Sequence, residues 1–269
     1  MTAAHWPRLD PTTHRLMLVD PDEGTWAHRS VDNLTSLLGP GDIVVVNDAA
    51  TLPASINAEL DDKPLEVRLL SWSGDSTWLV VAFGAGTWRQ PTEERGPPPH
   101  PTLGARISIA GLTAELIAIS TLSDRLWTLR FHAEEHDILA ALYAHGRPIQ
   151  YSYLADDLDI AQVQTPYAAR PWAVEMPSAG LPLHNRVIDA LRKRGVTVVN
   201  LTHAAGLSST GDPAIDAALP LPERYEISAQ TAAAIHGAKR VIAVGTSVVR
   251  ALEDSWARHG EVRPGRAVA

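Results

Sequence analysis

R-V-I-A-V-G-T-S-V-V-R-A-L-E, from Arg240 to Glu253, reads as a short buried strand (Val241, Ile242, Ala243, Val244), a turn at Gly245-Thr246-Ser247, and then a helix. A strand that enters a helix through glycine and small hydroxyl residues leaves backbone N–H groups free at the helix start. Those groups, with the positive end of the helix dipole, suit a carboxylate, phosphate or ribose oxygen. An ordinary strand-to-helix corner, with Thr246 or Ser247 capping its own helix, fits the same letters. The rest of the chain has to decide between the two.

Working outward, Asp42–Asn47 (D-I-V-V-V-N) is a continuous apolar run bounded by Pro40-Gly41 and Asp48, the pattern of a second buried strand. From about Ala58 the pattern turns β-rich. Leu65–Leu70, Thr77–Phe83, Arg106–Ile109, Thr113–Ile119 and Leu126–Phe131 are short strand candidates separated by turns such as Ser73-Gly74-Asp75 and Ala110-Gly111. Strands at this spacing predict a small barrel or sandwich. The Pro- and Gly-rich stretch Gln90–Leu103 reads as a long surface loop within it. After Glu134 the character is α/β: helices over Ile138–Ala144 and His184–Arg194, a strand over Val196–Leu201, and an Ala-rich helix capped by Ser228. The pattern predicts an α/β main domain split into residues 1–57 and 134–269, with a β module inserted at 58–133.

Composition bounds the function. The chain has 269 residues, 45% hydrophobic and 20% charged, as in ordinary globular proteins. No apolar run approaches the ~18 residues of a membrane span, and the N-terminus lacks the layout of a signal peptide. The absence of cysteine excludes disulfides and thiolate metal sites. A cytoplasmic enzyme or binding protein, with a monomer as the expected state, fits these bounds. The formal net charge of −8 repels nucleic acid in bulk, so any RNA contact requires a local patch. Arg192-Lys193-Arg194, with Arg186 nearby, is the densest candidate.

Four segments, in order, resemble the S-adenosylmethionine:tRNA ribosyltransferase-isomerases of queuosine biosynthesis. They are G-D-I-V-V-V-N-D-A-A-T-L-P-A from Gly41, V-Q-T-P-Y-A-A-R-P from Val163, M-P-S-A-G-L from Met176, and E-R-Y-E-I-S from Glu223 running on to the stretch quoted first. The resemblance covers most of the chain and implies a discontinuous, barrel-like α/β domain carrying an inserted small β-barrel. It also implies transfer of the ribosyl part of S-adenosylmethionine to 7-aminomethyl-7-deazaguanine in a tRNA, with isomerisation to epoxyqueuosine. S-adenosylmethionine is then a substrate, and no metal or further cofactor is implied.

That chemistry needs a base for a proton beside the sulfonium, a proton donor for departing adenine, and dipoles near the ring oxygen. The sulfonium itself favours aromatic faces or carboxylates. On the matching segments, Asp48 or Glu223 is the candidate base or charge partner, and Tyr167 and His203 are candidate proton carriers. Gln164 and Thr165 are candidate hydrogen-bonding groups. Asn47, Pro177, Ser178, Ala179, Gly180, Gly245, Thr246, Ser247 and Arg250 complete the candidate binding set.

The chain departs from the family pattern in places. Ala49-Ala50 stands where members have Thr-Arg, Ser55 where a second arginine is usual, Pro182 where a histidine is usual, and Leu221-Pro222 where members have His-Ser. Members also continue for some tens of residues beyond the position of Ala269. These departures keep a second reading open: a repurposed or inactive paralogue that binds S-adenosylmethionine or another nucleoside. A third comes from H-A-E-E-H at His132–His136, which matches an inverted zinc-protease signature and needs both imidazoles on one helix face. Gly206-x4-Gly211 is followed by Asp212-Pro213 and is no P-loop. Of eight tryptophans, Trp172 stands out because it sits between two matching segments.

Overall fold

The computed structural model describes residues 14–269. Trp6 and the rest of residues 1–13, where the first segment of the expected α/β domain begins, lie outside the described residues. The described chain opens with an antiparallel hairpin of β1 (Arg15–Asp20) and β2 (Thr25–Ser30), followed by the single turn α1 (Leu34–Leu37). Every residue of β3 (Asp42–Asn47) is buried. The chain then steps through β4 (Ala49–Thr51) into a closed barrel.

The barrel consists of β5 (Ser55–Leu60), β6 (Lys63–Gly74), β7 (Thr77–Gly84), β8 (Arg106–Ile109), β9 (Leu112–Ile119) and β10 (Leu126–Phe131), closed in the order β10-β7-β6-β5-β8-β9. All its ladders are antiparallel. The expected strands of this module are all present, and β5 joins them. Its alternation of Ile56, Ala58 and Leu60 with exposed Asn57 and Glu59 is the usual signature of a strand with one buried face. Ile56 faces Val67 and Ala58 faces Leu65, and these residues enter one apolar core with Ile107, Leu116 and Leu129.

On the opposite face of β6, Glu66 and Arg68 are buried rather than solvated. The Gln90–Leu103 stretch is therefore not only a surface loop. Arg95 reaches from it to Glu66 Oε2 at 2.6 Å and to the Gly84 carbonyl at 2.7 Å. With the Gly84 N–H bond to the Gly96 carbonyl and the Arg125 bond to the Arg95 carbonyl, this side chain anchors a segment whose prolines forbid regular pairing.

The second half builds an α/β sandwich. After α2 (Glu135–His145) and an irregular stretch, β11 (Arg170–Ala173) pairs in parallel with β4. Then follow α3 (Asn185–Lys193), β12 (Thr197–His203), α4 (Pro213–Ala218), β13 (Arg224–Ile227), α5 (Ala229–His236), β14 (Arg240–Ala243), α6 (Thr246–His259) and β15 (Gly265–Val268). The five-stranded sheet has the order β14-β3-β12-β13-β15, parallel across β14-β3-β12 and antiparallel beyond. Val44 and Val46 pack with Val187, Ile188 and Leu191 of α3. Ile43 and Val45 pack with Ala232 of α5 and with Val248 and Ala251 of α6. This double burial explains the unbroken apolar run of β3. The run in β14 belongs instead to a sheet edge, where Val241 is 41% exposed; the expectation of a buried strand fails there because β14 has a neighbour on one side only.

Barrel and sandwich meet through a cation sandwiched by aromatic rings. The guanidinium of Arg224 on β13 lies 4.3 Å from the ring centroid of Trp72 on β6 and 4.1 Å from that of Trp172 on β11.

Candidate functional site

The three parallel strands end on one edge of the sheet, at Asn47, His203 and Ala243, and the loops that follow them line a cleft there. Ligands of open α/β sheets gather at this edge. One arm of the cleft, about 140 Å³, lies between Pro177-Ser178-Ala179, Ala205-Gly206 and Gly245-Thr246-Ser247. The two turns touch: a Cβ on Gly245 would meet the Ala179 methyl at 3.0 Å. Gly245 holds φ 88° at the N-cap of α6, and no side chain caps that helix. The corner in which Thr246 or Ser247 caps its own helix is not what forms. Its first-turn N–H groups therefore look into the cleft without a side-chain acceptor.

A wider arm of about 400 Å³ runs from Thr51 and Val163 past Tyr151 and Leu154 to Glu175 and Ser178. Glu175, Met176 and Ser178 line both arms, so the two adjoin along that wall. Glu175 accepts a short hydrogen bond from the Tyr151 hydroxyl and a second from the Ser208 N–H at 3.2 Å. Burial pushes its carboxyl above the usual range, against those two hydrogen bonds. The Tyr151 phenol is pushed up by burial and then by the Glu175 charge, so it stays a donor.

The expected site residues divide by what they face. Pro177, Ser178, Ala179, Gly245, Thr246 and Ser247 line the cleft. Asn47 stands behind them: its Nδ2 donates to Ser247 Oγ at 3.3 Å and to the His203 carbonyl at 2.9 Å. Gln164 brackets Thr51 with two 2.9 Å bonds to its backbone, holding one wall of the wide arm. Tyr167 donates to the Gly180 carbonyl at 3.0 Å and shapes the Ser178–Gly180 turn from beneath. Thr165 packs against Gly180 as well, and its buried hydroxyl has no hydrogen-bond partner.

Glu223 sits one residue behind the cleft. It accepts from the Gly206 N–H at 2.5 Å and pairs with Arg250 at 2.6 Å. Burial still raises its carboxyl. Arg250 also donates to the Leu221 and Ala269 carbonyls, so its donors are engaged within the protein. His203 is buried, and its ring nitrogens have no hydrogen-bond partner. Burial, then the Arg250 charge, pushes its pKa down to about 4. Its 3.6 Å approach to Glu223 is therefore not an ion pair at neutral pH.

Asp48 does not face this cleft. It accepts from Asn200 and Thr202 at 2.5 Å and lines a separate hollow of about 260 Å³ with Tyr167 and Arg192. Arg186, Arg192 and Lys193 on α3 and Arg194 just after it are exposed, and of these Arg192 lines the hollow. The zinc arrangement does not assemble. His132 follows β10 and approaches Glu115, while His136 lies in the first turn of α2 beside Asp137. Among the described residues no group of three or more metal-ligating side chains converges.

Glu175, Tyr151 and Tyr153 are among the cleft residues that sequence reasoning did not single out. Glu175 stands immediately before the Met176–Leu181 segment, and that adjacency was its only signal.

A family model described as queuosine biosynthesis protein matches residues 2–267. The chain is similar to the S-adenosylmethionine:tRNA ribosyltransferase-isomerase of Anaeromyxobacter dehalogenans, at 34% identity over 93% of this chain and 72% of that one. That of Acidithiobacillus ferrooxidans is 32% identical over 97% and 74%, and that of Thermus thermophilus 31% over 92% and 72%. A crystal structure of the S-adenosylmethionine tRNA ribosyltransferase from Thermotoga maritima superposes loosely, with a TM-score of 0.42 and 19% identity over 100% of this chain and 73% of that one.

Proposed function

The chain belongs to the queuosine biosynthesis protein family, and from that premise we propose that it is a cytoplasmic S-adenosylmethionine:tRNA ribosyltransferase-isomerase. In this reading it moves the ribosyl part of S-adenosylmethionine onto the aminomethyl group of 7-aminomethyl-7-deazaguanine in tRNA, with loss of adenine and methionine. The observation that carries the reading is the single cleft joining the Ser178 and Thr246 turns at the carboxyl edge of the sheet.

The donor lies along this cleft. The uncapped start of α6 and the Ser178–Gly180 turn offer backbone N–H groups to its carboxylate or ribose oxygens. The tRNA approaches across the basic C-terminal end of α3, where exposed Arg192, Lys193 and Arg194, with Arg186 at the helix start, offset the negative charge of the whole. Asp48 and Tyr167, in the hollow beside that patch, stand on the acceptor side. His203 and Glu223 back the donor side through Gly206 and are the proton-handling groups of the reading. We also propose that residues 58–133 act as an inserted module that frames the cleft, with residues 1–57 and 134–269 carrying it.

Binding without transfer is the second reading. What favours it is that Asp48, Glu223 and Arg250 spend their side-chain contacts on the protein itself. The deciding experiment incubates the protein with S-adenosylmethionine and tRNA carrying 7-aminomethyl-7-deazaguanine, and follows adenine by chromatography. Released adenine supports the transferase. Calorimetric binding of the donor with no adenine favours the second reading, and neither signal abandons both.

A further inference from the structure

The wide arm of the cleft contains a carboxylate that no cation contacts, with the Arg68 charge acting on it only from beyond ion-pair distance. Among the described residues, no Arg, Lys or His nitrogen comes within 4.0 Å of Glu175, whereas Glu66, Asp42 and Glu223 each have such a partner. A carboxylate half-buried among Leu154, Leu158 and Val174 loses hydration that two neutral donors only partly replace. Beside it the rings of Tyr151 and Tyr153 stack with centroids 6.0 Å apart and planes 6° from parallel. Tyr153 is 63% exposed, so it presents aromatic surface at the cleft mouth.

One carboxylate, aromatic faces and apolar walls form the environment that recognises a poorly hydrated organic cation. An ammonium or guanidinium would ask for several hydrogen-bond acceptors, and the wall offers few. A sulfonium asks for none. We propose that Glu175, with the Tyr151–Tyr153 pair, is the subsite for the sulfonium of S-adenosylmethionine and the element that selects the charged donor over its neutral thioether. The inference rests on the donor-site reading above and deepens it. Glu175 lies immediately before the matching segment that starts at Met176. Burial raises the Glu175 carboxyl, as expected of a charge awaiting its partner. The short arm completes the placement. A donor whose sulfur sits at Glu175 can extend toward Ser178 and the start of α6, because the same residues line both arms.

The test compares S-adenosylmethionine with S-adenosylhomocysteine by calorimetry on the full chain. The two differ at sulfur by one methyl group and one positive charge. Wild-type protein is expected to bind the sulfonium about tenfold more tightly. Glu175→Gln is expected to weaken S-adenosylmethionine about tenfold and to leave S-adenosylhomocysteine within about twofold. Tyr153→Ala alters an exposed side chain, so it tests the subsite even if the Gln variant fails to fold. It is expected to weaken S-adenosylmethionine about threefold with little change for the thioether.

Equal losses for both ligands, or no loss for either, overturn the subsite while leaving the donor cleft intact. Wild-type protein that binds both ligands equally does the same. Wild-type protein that binds neither overturns the donor-site reading, and the subsite with it.

Discussion

Glu66 and Glu175 are both glutamates withdrawn from water, one on the barrel and one in the α/β cleft, and they are treated in opposite ways. Glu66 meets Arg68 at 2.6 Å and Arg95 at 2.6 Å and accepts from Ser55 Oγ at 2.9 Å. Burial alone would raise its carboxyl, but the two guanidinium groups outweigh burial and lower it. Glu175 has neutral donors and no cation in contact, the Arg68 charge acts on it only at longer range, and its carboxyl is raised by burial. A buried charge that is fully paired fixes architecture, whereas one left short of a partner is available for ligand chemistry. The barrel spends its charges on anchoring the Gln90–Leu103 loop; the cleft keeps one open.

The comparison breaks most visibly at Glu66. Glu66→Gln leaves Arg68, 1% exposed at its side chain, and Arg95 without a counterion over the Phe83 ring. Removing one partner of a buried pair costs about 3–5 kcal/mol, and urea unfolding is expected to show a loss of that size. A loss under about 1 kcal/mol would mean that the network is solvated, and the contrast with Glu175 would vanish.

His203 sharpens the contrast from behind the cleft, because it is buried and its ring nitrogens have no hydrogen-bond partner. Its pKa falls to about 4 in the folded protein from an ordinary 6.5. The unfolded chain therefore binds the proton first, and the associated stability is fully present above pH 6.5 and lost as the pH falls toward 4. The loss amounts to at most about 3 kcal/mol. His203→Leu keeps the backbone bonds to Asn47 and is expected to flatten this acid slope in urea titrations between pH 6.5 and 4. An unchanged slope would assign the acid sensitivity to other groups.

How much of this was legible depends on whether the deciding contact is local. The burial of β3 and the helix entry at Gly245–Ser247 announce themselves because each is written in adjacent residues, whereas the edge position of β14 is not. The barrel strands follow from alternation, and β5 carried the same signal in Ile56, Ala58 and Leu60. What was not legible are pairings across large sequence separations. Nothing in a Pro- and Gly-rich loop marks Arg95 as the partner of Glu66. Nothing in the letters places Tyr151 against Glu175. Asn47 and Asp48 are neighbours in sequence, yet successive residues of an extended chain point to opposite sides. Asn47 consequently backs the cleft at Ser247, while Asp48 faces the hollow with Asn200 and Thr202. A motif reading treats such neighbours as one unit, and the backbone separates them.

The smallest expected effect on folding is the most informative one, at Glu175. If its carboxylate is held for a ligand, removing its charge relieves the free protein instead of harming it. Glu175→Gln keeps the shape and an acceptor for Tyr151, so at neutral pH its stability is expected within about 1 kcal/mol of wild type. The pH dependence fixes the sign. A carboxyl raised above its ordinary 4.5 binds its proton more tightly in the folded state. Wild-type stability therefore declines as the pH rises from 4.5 through the folded value, and the Gln variant lacks that decline. Glu66, with its carboxyl lowered, contributes the reverse slope below 4.5. Saturating S-adenosylmethionine supplies the missing cation and is expected to remove the Glu175 decline in wild type; S-adenosylhomocysteine, which lacks the charge, is expected to leave it. A Gln variant that loses several kcal/mol would make Glu175 a structural twin of Glu66, and the division between a closed barrel network and an open cleft charge would no longer hold.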